Sequence, residues 1–300
     1  MPGDASATAT RPVVLITGAS AGIGESLARE LVRRRKAGAL VLTARRVDRL
    51  ERLADELRAR QHDLEVVTIA ADLADPATPN RLIAETTSRF GGLDVLINNA
   101  GLGLPTQFAD AEPDQLARQI AVNFTAPLML SRLSLPSLIE RGGMLINIGS
   151  AITCVANSAL GAYGATKAGL AYWNDALRRE LWLTGVRVCL VEPGPIKTEF
   201  MDALSSLVPA GGRPDPILDN AAPWMTADVG ELARRVVGLL DHPRRRLSVL
   251  RRFVWLFRIL GAAASICPPL GDRVVVVLSR KPAAPGGPTA SATHSAEHSS

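Results

Sequence analysis

The feature that most constrains the fold is a regular alternation of short apolar runs with longer amphipathic segments. Seven runs are apolar at nearly every position, and they lie at 13–17, 39–43, 64–70, 93–97, 143–148, 186–192 and 247–250. A strand that is apolar on both sides must be covered on both faces, so the runs predict a parallel sheet between two layers of helices. We therefore expect an α/β fold with a doubly wound, seven-stranded parallel sheet.

The segments between these runs predict the helices and the limits of the domain. Helices are expected from the first glycine-rich turn to about residue 36, after the second strand, and at 76–90, 113–140, 158–184 and 228–241. These elements fill residues 11–250 as one domain. Small and polar residues predict a disordered leader at 1–10 and a disordered tail at 281–300, while 251–280 form an apolar and basic extension.

Composition narrows the classes of function. The formal charge of +5 comes from arginines scattered along helical segments, which argues against nucleic-acid binding. The three cysteines are far apart and form no CxxC pair, so they favour a reducing, cytoplasmic location and argue against a disulfide or zinc framework. His294 and His298 lie in the tail, where no fold would hold them as ligands, so no metal site is predicted. The N-terminal decapeptide lacks the apolar core of a secretory signal.

The first strand ends in the sequence TGASAGIG, residues 17–24. A strand that turns into a helix through glycines lets backbone N–H groups approach a pyrophosphate at the positive end of the helix. The spacing is GxxxGxG instead of GxGxxG, and glycine turns are common between strands and helices. Its position after the first strand of a doubly wound sheet nevertheless predicts a dinucleotide-binding turn.

The end of the second strand predicts which dinucleotide is bound. An acidic residue there would accept hydrogen bonds from the adenosine ribose and favour NAD. The strand instead ends in Thr43, Ala44, Arg45 and Arg46, and a guanidinium can pair with a 2′-phosphate. We therefore expect NADP(H) in preference to NAD(H).

Six motifs then coincide in order and spacing with those of the short-chain dehydrogenase/reductase family. They are TGASAGIG at 17–24, NNAG at 98–101, Asn123 in AVNFTAP, Ser150 after INIG, YGATK at 163–167 and PGPIKT at 193–198. The chain resembles this family over about residues 11–250. The resemblance implies a Rossmann-type enzyme that forms a homodimer or homotetramer, with the helices around 113–140 and 158–184 pairing between subunits.

The resemblance also implies which residues bind the cofactor. Those at the glycine turn and the second strand are Gly18, Ser20, Gly22, Ile23, Gly24 and Arg45. Asp72 would lie near the adenine and Asn98 beside the adenosine ribose, while Ile196 and Thr198 would flank the nicotinamide. Some NADP-dependent members carry a basic residue where this chain has Ala21, so Arg45 is expected to recognise the 2′-phosphate with Arg46 as a helper.

The predicted catalytic residues are Asn123, Ser150, Tyr163 and Lys167, of which Tyr163 and Lys167 also bind the cofactor. A tyrosine can protonate a carbonyl oxygen, but its ordinary pKa of about 10 is too high for efficient exchange near neutrality. Residues four apart share a helix face, so Lys167 is predicted to lower the pKa of Tyr163 and to bond the nicotinamide ribose. By resemblance, Ser150 binds the substrate oxygen and Asn123 anchors a water that links the lysine to solvent.

Each of these residues also has a structural alternative. A tyrosine and a lysine four apart are common on helix surfaces, Ser150 can be a helix cap, and Asn123 can be a surface amide. Cys154, near the predicted site, is interpreted as a packing residue because no base stands near it in sequence.

The segments after the last motif bear on the substrate and on partners. Residues 201–225 mix leucine, proline and tryptophan in the manner of a functional loop, which predicts an apolar substrate. Within 251–270, Arg251, Arg252 and Arg258 gather opposite an apolar face that would either lie in a membrane interface or pack within the protein, and the apolar run is too short to span a bilayer. We therefore predict an NADPH-dependent reductase of a hydrophobic, lipid-like ketone, or the reverse alcohol dehydrogenase. The alternatives are a 3-oxoacyl-thioester reductase and a non-catalytic NADP(H)-binding regulator.

Overall fold

The computed structural model describes residues 11–249 apart from 105, 107, 155, 157–159, 197–198 and 200–226, together with residues 255, 258 and 259. Several expectations therefore lie outside the described residues. They are the leader, the segment 201–225, Thr198, the tail with its two histidines, and most of the extension.

The predicted apolar runs form the strands of one parallel sheet. Its seven strands, within the described chain, are β1 (Val13–Thr17), β2 (Ala39–Ala44), β3 (Glu65–Ala70), β4 (Val95–Asn98), β5 (Met144–Ile148), β6 (Arg187–Glu192) and β7 (Arg246–Ser248). The three central strands β1, β4 and β5 are buried at every position. This burial is what a run without polar alternation requires, and the predicted fold class is confirmed.

The helices follow the predicted segments. In the described chain they are α1 (Gly22–Arg33), α2 (Val47–Arg60), α3 (Thr78–Phe90), α4 (Pro113–Ile120), α5 (Ala126–Glu140), α6 (Gly161–Glu180) and α7 (Val229–Val237). Local signals set some of their ends. In α3 a proline occupies the first turn, where its missing N–H is tolerated, and Gly91 ends the helix with a φ of +67°.

The predicted helix 113–140 is interrupted. A π-helical turn, Ala121–Thr125, separates α4 from α5, and the N–H of Ala126 donates to the carbonyl of Ala121, five residues earlier. Pro127 follows directly and has no N–H for the usual bond to the carbonyl four residues before it. Such turns are frequent at functional positions, and this one contains Asn123.

The order of the strands places the site. The sheet runs β3-β2-β1-β4-β5-β6-β7, so the direction of chain progression reverses between β1 and β4. Where the connections that follow two neighbouring strands run in opposite directions, a crevice opens at the carboxyl ends of those strands. Ligands of doubly wound sheets bind in this crevice.

Two apolar clusters hold the layers together. Val14 and Ile16 of β1 point into a cluster shared with α1, α2 and α7, while Val13 and Leu15 point into one shared with α3, α5 and α6. The crevice therefore lies on a rigid, doubly covered sheet. Of the residues that the structure describes, no helix is long and apolar enough to cross a membrane. The same part of the chain holds no group of three His, Cys, Asp or Glu side chains placed for a metal ion.

Candidate active site

The predicted site residues gather at the carboxyl edge of the sheet. Turns that follow β1, β2, β4, β5 and β6 line this edge, and side chains of α6 and of the π-helical turn reach it from one side. The geometry of each turn decides what it can bind.

The turn after β1 is built for close approach. Gly18 has a φ of +67°, and a Cβ there would lie 2.9 Å from the Cα of Ala100. A Cβ on Gly24 would lie 2.4 Å from the carbonyl oxygen of Gly18, and Gly22 begins α1 with a φ of +58°. Because the N-cap residue, Ala21, supplies no side-chain cap, the first N–H groups of α1 are left for an anion.

Thr17 and Asn99 join this turn to the one after β4. The Oγ1 of Thr17 accepts hydrogen bonds from the backbone N–H groups of Asn99 and Ala100, both at 3.0 Å. The Asn99 amide donates to the backbone oxygens of Thr17 and Gly18 at 2.8 and 3.2 Å. Neither residue was assigned a role from sequence, although both lie within the quoted motifs. They fix the separation of the two walls of the crevice.

Asn98 is predicted to lie beside the adenosine ribose, but its side chain does not face the crevice. Its side chain is buried, and the amide nitrogen donates to Oδ1 of Asn147 at 2.9 Å and to Oγ of Ser131 at 3.1 Å. Successive side chains of a strand point to opposite sides, so Asn98 enters the helix layer while Asn99 reaches the turn. The side chain of Asn98 therefore links β4 to β5 and to helix α5.

Charged residues cluster where β2 and β3 end. Arg45 is exposed and makes no hydrogen bond or ion pair to any residue that the structure describes. Asp72 accepts from the N–H of Ala74 at 3.0 Å and from Arg118 at 2.5 Å. Burial disfavours the ionised form of Asp72, but these hydrogen bonds and the charges of Arg118 and Arg45 hold its pKa below its ordinary value. This end of the crevice thus offers both an anion and a free cation.

Asn123 is fully buried, not a surface amide. Its amide nitrogen donates to the backbone oxygen of Leu102 at 2.7 Å and to Oγ1 of Thr166 at 3.2 Å, while its Oδ1 accepts from the N–H of Leu102 at 2.7 Å. Asn123 therefore ties the loop after β4 to helix α6.

Ser150 caps a turn, as its structural alternative predicted, and also contacts Tyr163. Its Oγ accepts from the N–H of Ile152 at 3.2 Å, at the start of the 3₁₀ turn Ala151–Cys154. The same side chain is hydrogen-bonded to Tyr163. A hydroxyl can accept one bond and donate another, so capping does not prevent contact with the phenol.

Tyr163 and Lys167 are both buried on α6. Burial raises the pKa of Tyr163 to about 12, opposed by the hydrogen bond with Ser150. Burial lowers the pKa of Lys167 to about 8. In this structure the pKa of Tyr163 is therefore shifted upward by burial, opposite to the net decrease expected from a neighbouring Lys167. The ammonium donates to the carbonyl of Ile148 at 2.8 Å and lies 5.9 Å from the centre of the phenol ring.

Gly101 lies between Lys167 and Asn123. A Cβ built on it would be 3.7 Å from Nζ of Lys167 and 3.7 Å from Oδ1 of Asn123. The glycine leaves room beside a donor and an acceptor, which are the partners a bridging water needs.

The remaining predicted cofactor contacts lie on the opposite side of the crevice and in α1. Ile196 is buried and forms a parallel bridge with Ala227. Ile23, in the first turn of α1, packs against the apolar cluster beneath the turn. Ser20 accepts from Arg46 at 3.4 Å.

One arginine of the extension reaches the domain. Arg258 donates to both carboxylate oxygens of Glu192, at 2.7 and 2.9 Å, and is hydrogen-bonded to the thiol of Cys154. Burial raises the pKa of Cys154 in spite of this arginine, which fits its interpretation as a packing residue. Arg258 thus contacts the domain while 46% of its side chain stays exposed, and Trp255 is 68% exposed.

An apolar cavity lies next to helix α6. Its volume is about 310 Å³, and it is lined by Leu104, Thr106, Phe108, Ala111, Leu116, Gly161, Ala162 and Ala165. Ala162 precedes Tyr163, but the predicted catalytic side chains are not part of the described lining of this cavity. No charged side chain contributes to its described lining.

The residues present fit NADP(H). The uncapped start of α1 and the close-packed glycine turn suit a pyrophosphate. The unpaired guanidinium of Arg45 suits a 2′-phosphate, and the ammonium of Lys167 has donors beyond its bond to Ile148.

Comparisons with known proteins agree with this geometry. A model of the short chain dehydrogenase family matches residues 12–207. The NADP-dependent 3-hydroxy acid dehydrogenase of Schizosaccharomyces pombe is 33% identical over 224 residues, which cover 73% of this chain and 84% of that protein. Serine 3-dehydrogenase of Agrobacterium fabrum is 35% identical over 239 residues, which cover 77% of this chain and 88% of that protein.

One similar solved structure contains a bound cofactor. The short-chain dehydrogenase from Sphingobium yanoikuyae in complex with NADPH is 29% identical, with a TM-score of 0.68 over 92% of this chain and 98% of that one. With the motif geometry described above, these matches show that the chain belongs to the short-chain dehydrogenase family and is an NADP-dependent dehydrogenase/reductase.

Proposed function

We propose that the protein reduces a ketone to a secondary alcohol, or catalyses the reverse oxidation, on a hydrophobic substrate with Tyr163 as general acid and base. The observation that carries this proposal is the hydrogen bond between Ser150 and Tyr163 beside the buried ammonium of Lys167. A buried phenol with a second hydroxyl beside it can hold a carbonyl oxygen and protonate it.

Bound NADPH supplies the hydride, and the chain's own residues supply position and the proton. Gly18 and Gly22 let the backbone approach the pyrophosphate, Arg45 pairs with the 2′-phosphate, and Lys167 holds the nicotinamide ribose. Ser150 then orients the substrate oxygen toward the phenol of Tyr163. Orientation of this kind replaces a bimolecular encounter by a prepared geometry.

The proton given up by Tyr163 must be replaced from solvent. The pKa of Lys167 lies near 8, so its ammonium can exchange a proton close to neutral pH. A water beside Gly101 would contact both Lys167 and Asn123, since a Cβ built there lies 3.7 Å from each. We assign Asn123 the role of holding that water.

The apolar cavity supports a hydrophobic substrate. Two relatives are named for a 3-hydroxy acid and for serine, and a carboxylate would need a cation or several donors to hold it. In the described lining of the cavity the single polar side chain is Thr106. An aliphatic group next to the ketone fits this lining better.

Exposed apolar side chains support the proposed pairing of subunits. Those on or near the helices concerned are Ile120, Met129, Ile139, Tyr172, Trp182 and Leu183. We assign them to a homodimer contact through α5 and α6. The inward bond of Arg258 to buried Glu192 favours packing of the extension within the protein over contact with a membrane.

The test is oxidation of NADPH by the purified protein with ketones of increasing chain length. We expect kcat/KM to rise with chain length, because each added methylene buries apolar surface. Preference for small charged substrates would reject the hydrophobic class. Preference for 3-oxoacyl thioesters would select that alternative, and tight NADPH binding without turnover of any ketone would favour the regulator.

A further inference from the structure

Glu199 forms an ion pair across the cofactor crevice. Its carboxylate accepts from Arg46 at 2.9 Å and from Arg49 at 2.5 Å. Arg46 directly precedes α2, next to the end of β2, whereas Glu199 follows β6 by seven residues. Three strands, β1, β4 and β5, separate β2 from β6, and the crevice opens between the first two of them. Glu199 therefore lies on the side of the crevice opposite to the strand that it follows in sequence.

Arg46 also touches the glycine turn. Its Nε and one terminal nitrogen lie 3.4 Å from Oγ of Ser20, on the wall formed after β1. Arg45, its neighbour, is free of polar partners among the described residues. Of the two cations beside the expected 2′-phosphate, one is thus available and the other already holds a carboxylate.

We propose that Glu199 is a cofactor-specificity residue whose carboxylate competes with the 2′-phosphate of NADP(H) for Arg46. The pair is solvent-exposed, with 43% of the Arg46 side chain and 52% of the Glu199 side chain accessible, so it is weak enough for a phosphate to displace. The displaced carboxylate of Glu199 then remains near the 2′-phosphate, and the two negative charges repel each other. NAD(H) has no 2′-phosphate and leaves the pair intact. Glu199 therefore weakens the binding of NADP(H) selectively.

The competition is measured with nucleotides that lack the reactive ring. We use isothermal titration of 2′,5′-ADP, which carries the 2′-phosphate, and of 5′-AMP, which does not, into the full-length wild type and Glu199→Gln. The Kd of 2′,5′-ADP is expected to fall by about two- to fivefold in the variant, the size of one exposed ion pair, while that of 5′-AMP stays unchanged.

Two controls isolate the cause. Asp55→Asn removes the same charge from an exposed pair with Arg58 on α2, and it should leave both Kd values unchanged. In an Arg46→Met background, Glu199→Gln should no longer tighten 2′,5′-ADP, because the contested cation is gone. Persistence of the effect in that background would overturn the competition.

Other outcomes also decide the matter. An unchanged or weaker affinity for 2′,5′-ADP in Glu199→Gln overturns the proposal, and equal weakening of both nucleotides would make Glu199 a strap over the cofactor instead. The inference rests on the proposed place of the 2′-phosphate beside Arg45 and Arg46. If that placement is wrong, Arg45→Met should bind 2′,5′-ADP as tightly as the wild type does. If only the competition is wrong, Arg45→Met should still bind 2′,5′-ADP more weakly than the wild type.

Discussion

The ammonium of Lys167 lies 2.8 Å from the backbone oxygen of Ile148, the last residue of β5, and no carboxylate of the described chain pairs with it. A buried cation held by one carbonyl keeps two further donors for other partners. The sheet edge thus positions the lysine, and α6 brings Tyr163 to the same place.

Replacing Tyr163 by Phe should abolish turnover while the fold persists. The phenol is the proposed proton donor, and a positioned general acid contributes about 10²- to 10⁴-fold to the rate. We expect kcat to fall by that factor and the Kd of NADPH to change little. Tyr172, 82% exposed on the same helix, is the chain's other tyrosine, so Tyr172→Phe is the matched control. Equal activity of wild type and Tyr163→Phe would remove Tyr163 from the mechanism.

The rate should depend on pH in opposite senses for the two directions. With a pKa of about 12, Tyr163 keeps its proton through neutral pH, so it remains able to protonate a ketone. Lys167, with a pKa of about 8, loses its charge above that pH. We expect kcat/KM for ketone reduction to be flat below about pH 7.5 and to fall above about pH 8. Alcohol oxidation needs the phenolate and should rise over the same range. A reduction rate that rises above pH 8 would contradict these assignments.

The buried lysine should also make stability depend on pH. Its pKa in the folded protein, about 8, lies below the ordinary 10.5. Between these values the unfolded chain binds more protons, so the free energy of unfolding rises with pH. The free energy of unfolding of the wild type, relative to that of Lys167→Met, should increase by on the order of 2 kcal/mol between pH 7.5 and pH 10.

The control for this measurement is a lysine at the surface. Lys36→Met removes a half-buried surface lysine that pairs with Asp241 at 2.6 Å. Denaturant unfolding of the wild type and both variants at the two pH values gives the comparison. If the difference in the free energy of unfolding between wild type and Lys167→Met were the same at both pH values, Lys167 would not be a buried titrating group.

How much the sequence predicts is visible at the two asparagines of NNAG. The apolar runs identify β4 and its carboxyl end, but they do not say which of Asn98 and Asn99 faces the crevice. Asn98 is buried against Asn147, and Asn99 holds the glycine turn. That choice depends on where the strand ends and which side of its pleat is covered, and both follow from tertiary packing.

The proposed catalytic pair, Tyr163 and Lys167, shows the same limit. Helical spacing places Tyr163 and Lys167 on one face, as predicted from sequence. The direction of each pKa shift depends on burial and on the partner of the ammonium, which is a backbone oxygen from β5. Every residue carries a backbone oxygen, so the sequence does not indicate which of them will accept from the ammonium. The π-helical turn around Asn123 was missed for a similar reason, because side-chain periodicity reports a helix without its hydrogen-bond pattern.

Gly101→Ala should separate proton supply from folding. A Cβ at this position would lie 3.7 Å from both Lys167 and Asn123, an ordinary contact distance, and the backbone there does not require glycine. We therefore expect unchanged or slightly higher stability, since alanine restricts the unfolded chain. The added methyl group occupies the space for a bridging water, so kcat should fall by about tenfold as part of the general acid contribution is lost. The Kd of NADPH should stay within about twofold.

Gly238→Ala is the control for this change, because a Cβ there would meet only Arg34 at 3.9 Å, far in sequence from the crevice. Thermal unfolding, NADPH titration and steady-state rates are measured on the wild type and both variants. A Gly101→Ala protein with full kcat would show that no water between Lys167 and Asn123 carries the proton. A loss of stability together with kcat would assign Gly101 to packing. Loss of kcat alone is the result that ties Asn123 to catalysis. Its amide nitrogen is committed to Leu102 and Thr166, and its Oδ1, which already accepts from the N–H of Leu102, can accept one further hydrogen bond beside Lys167.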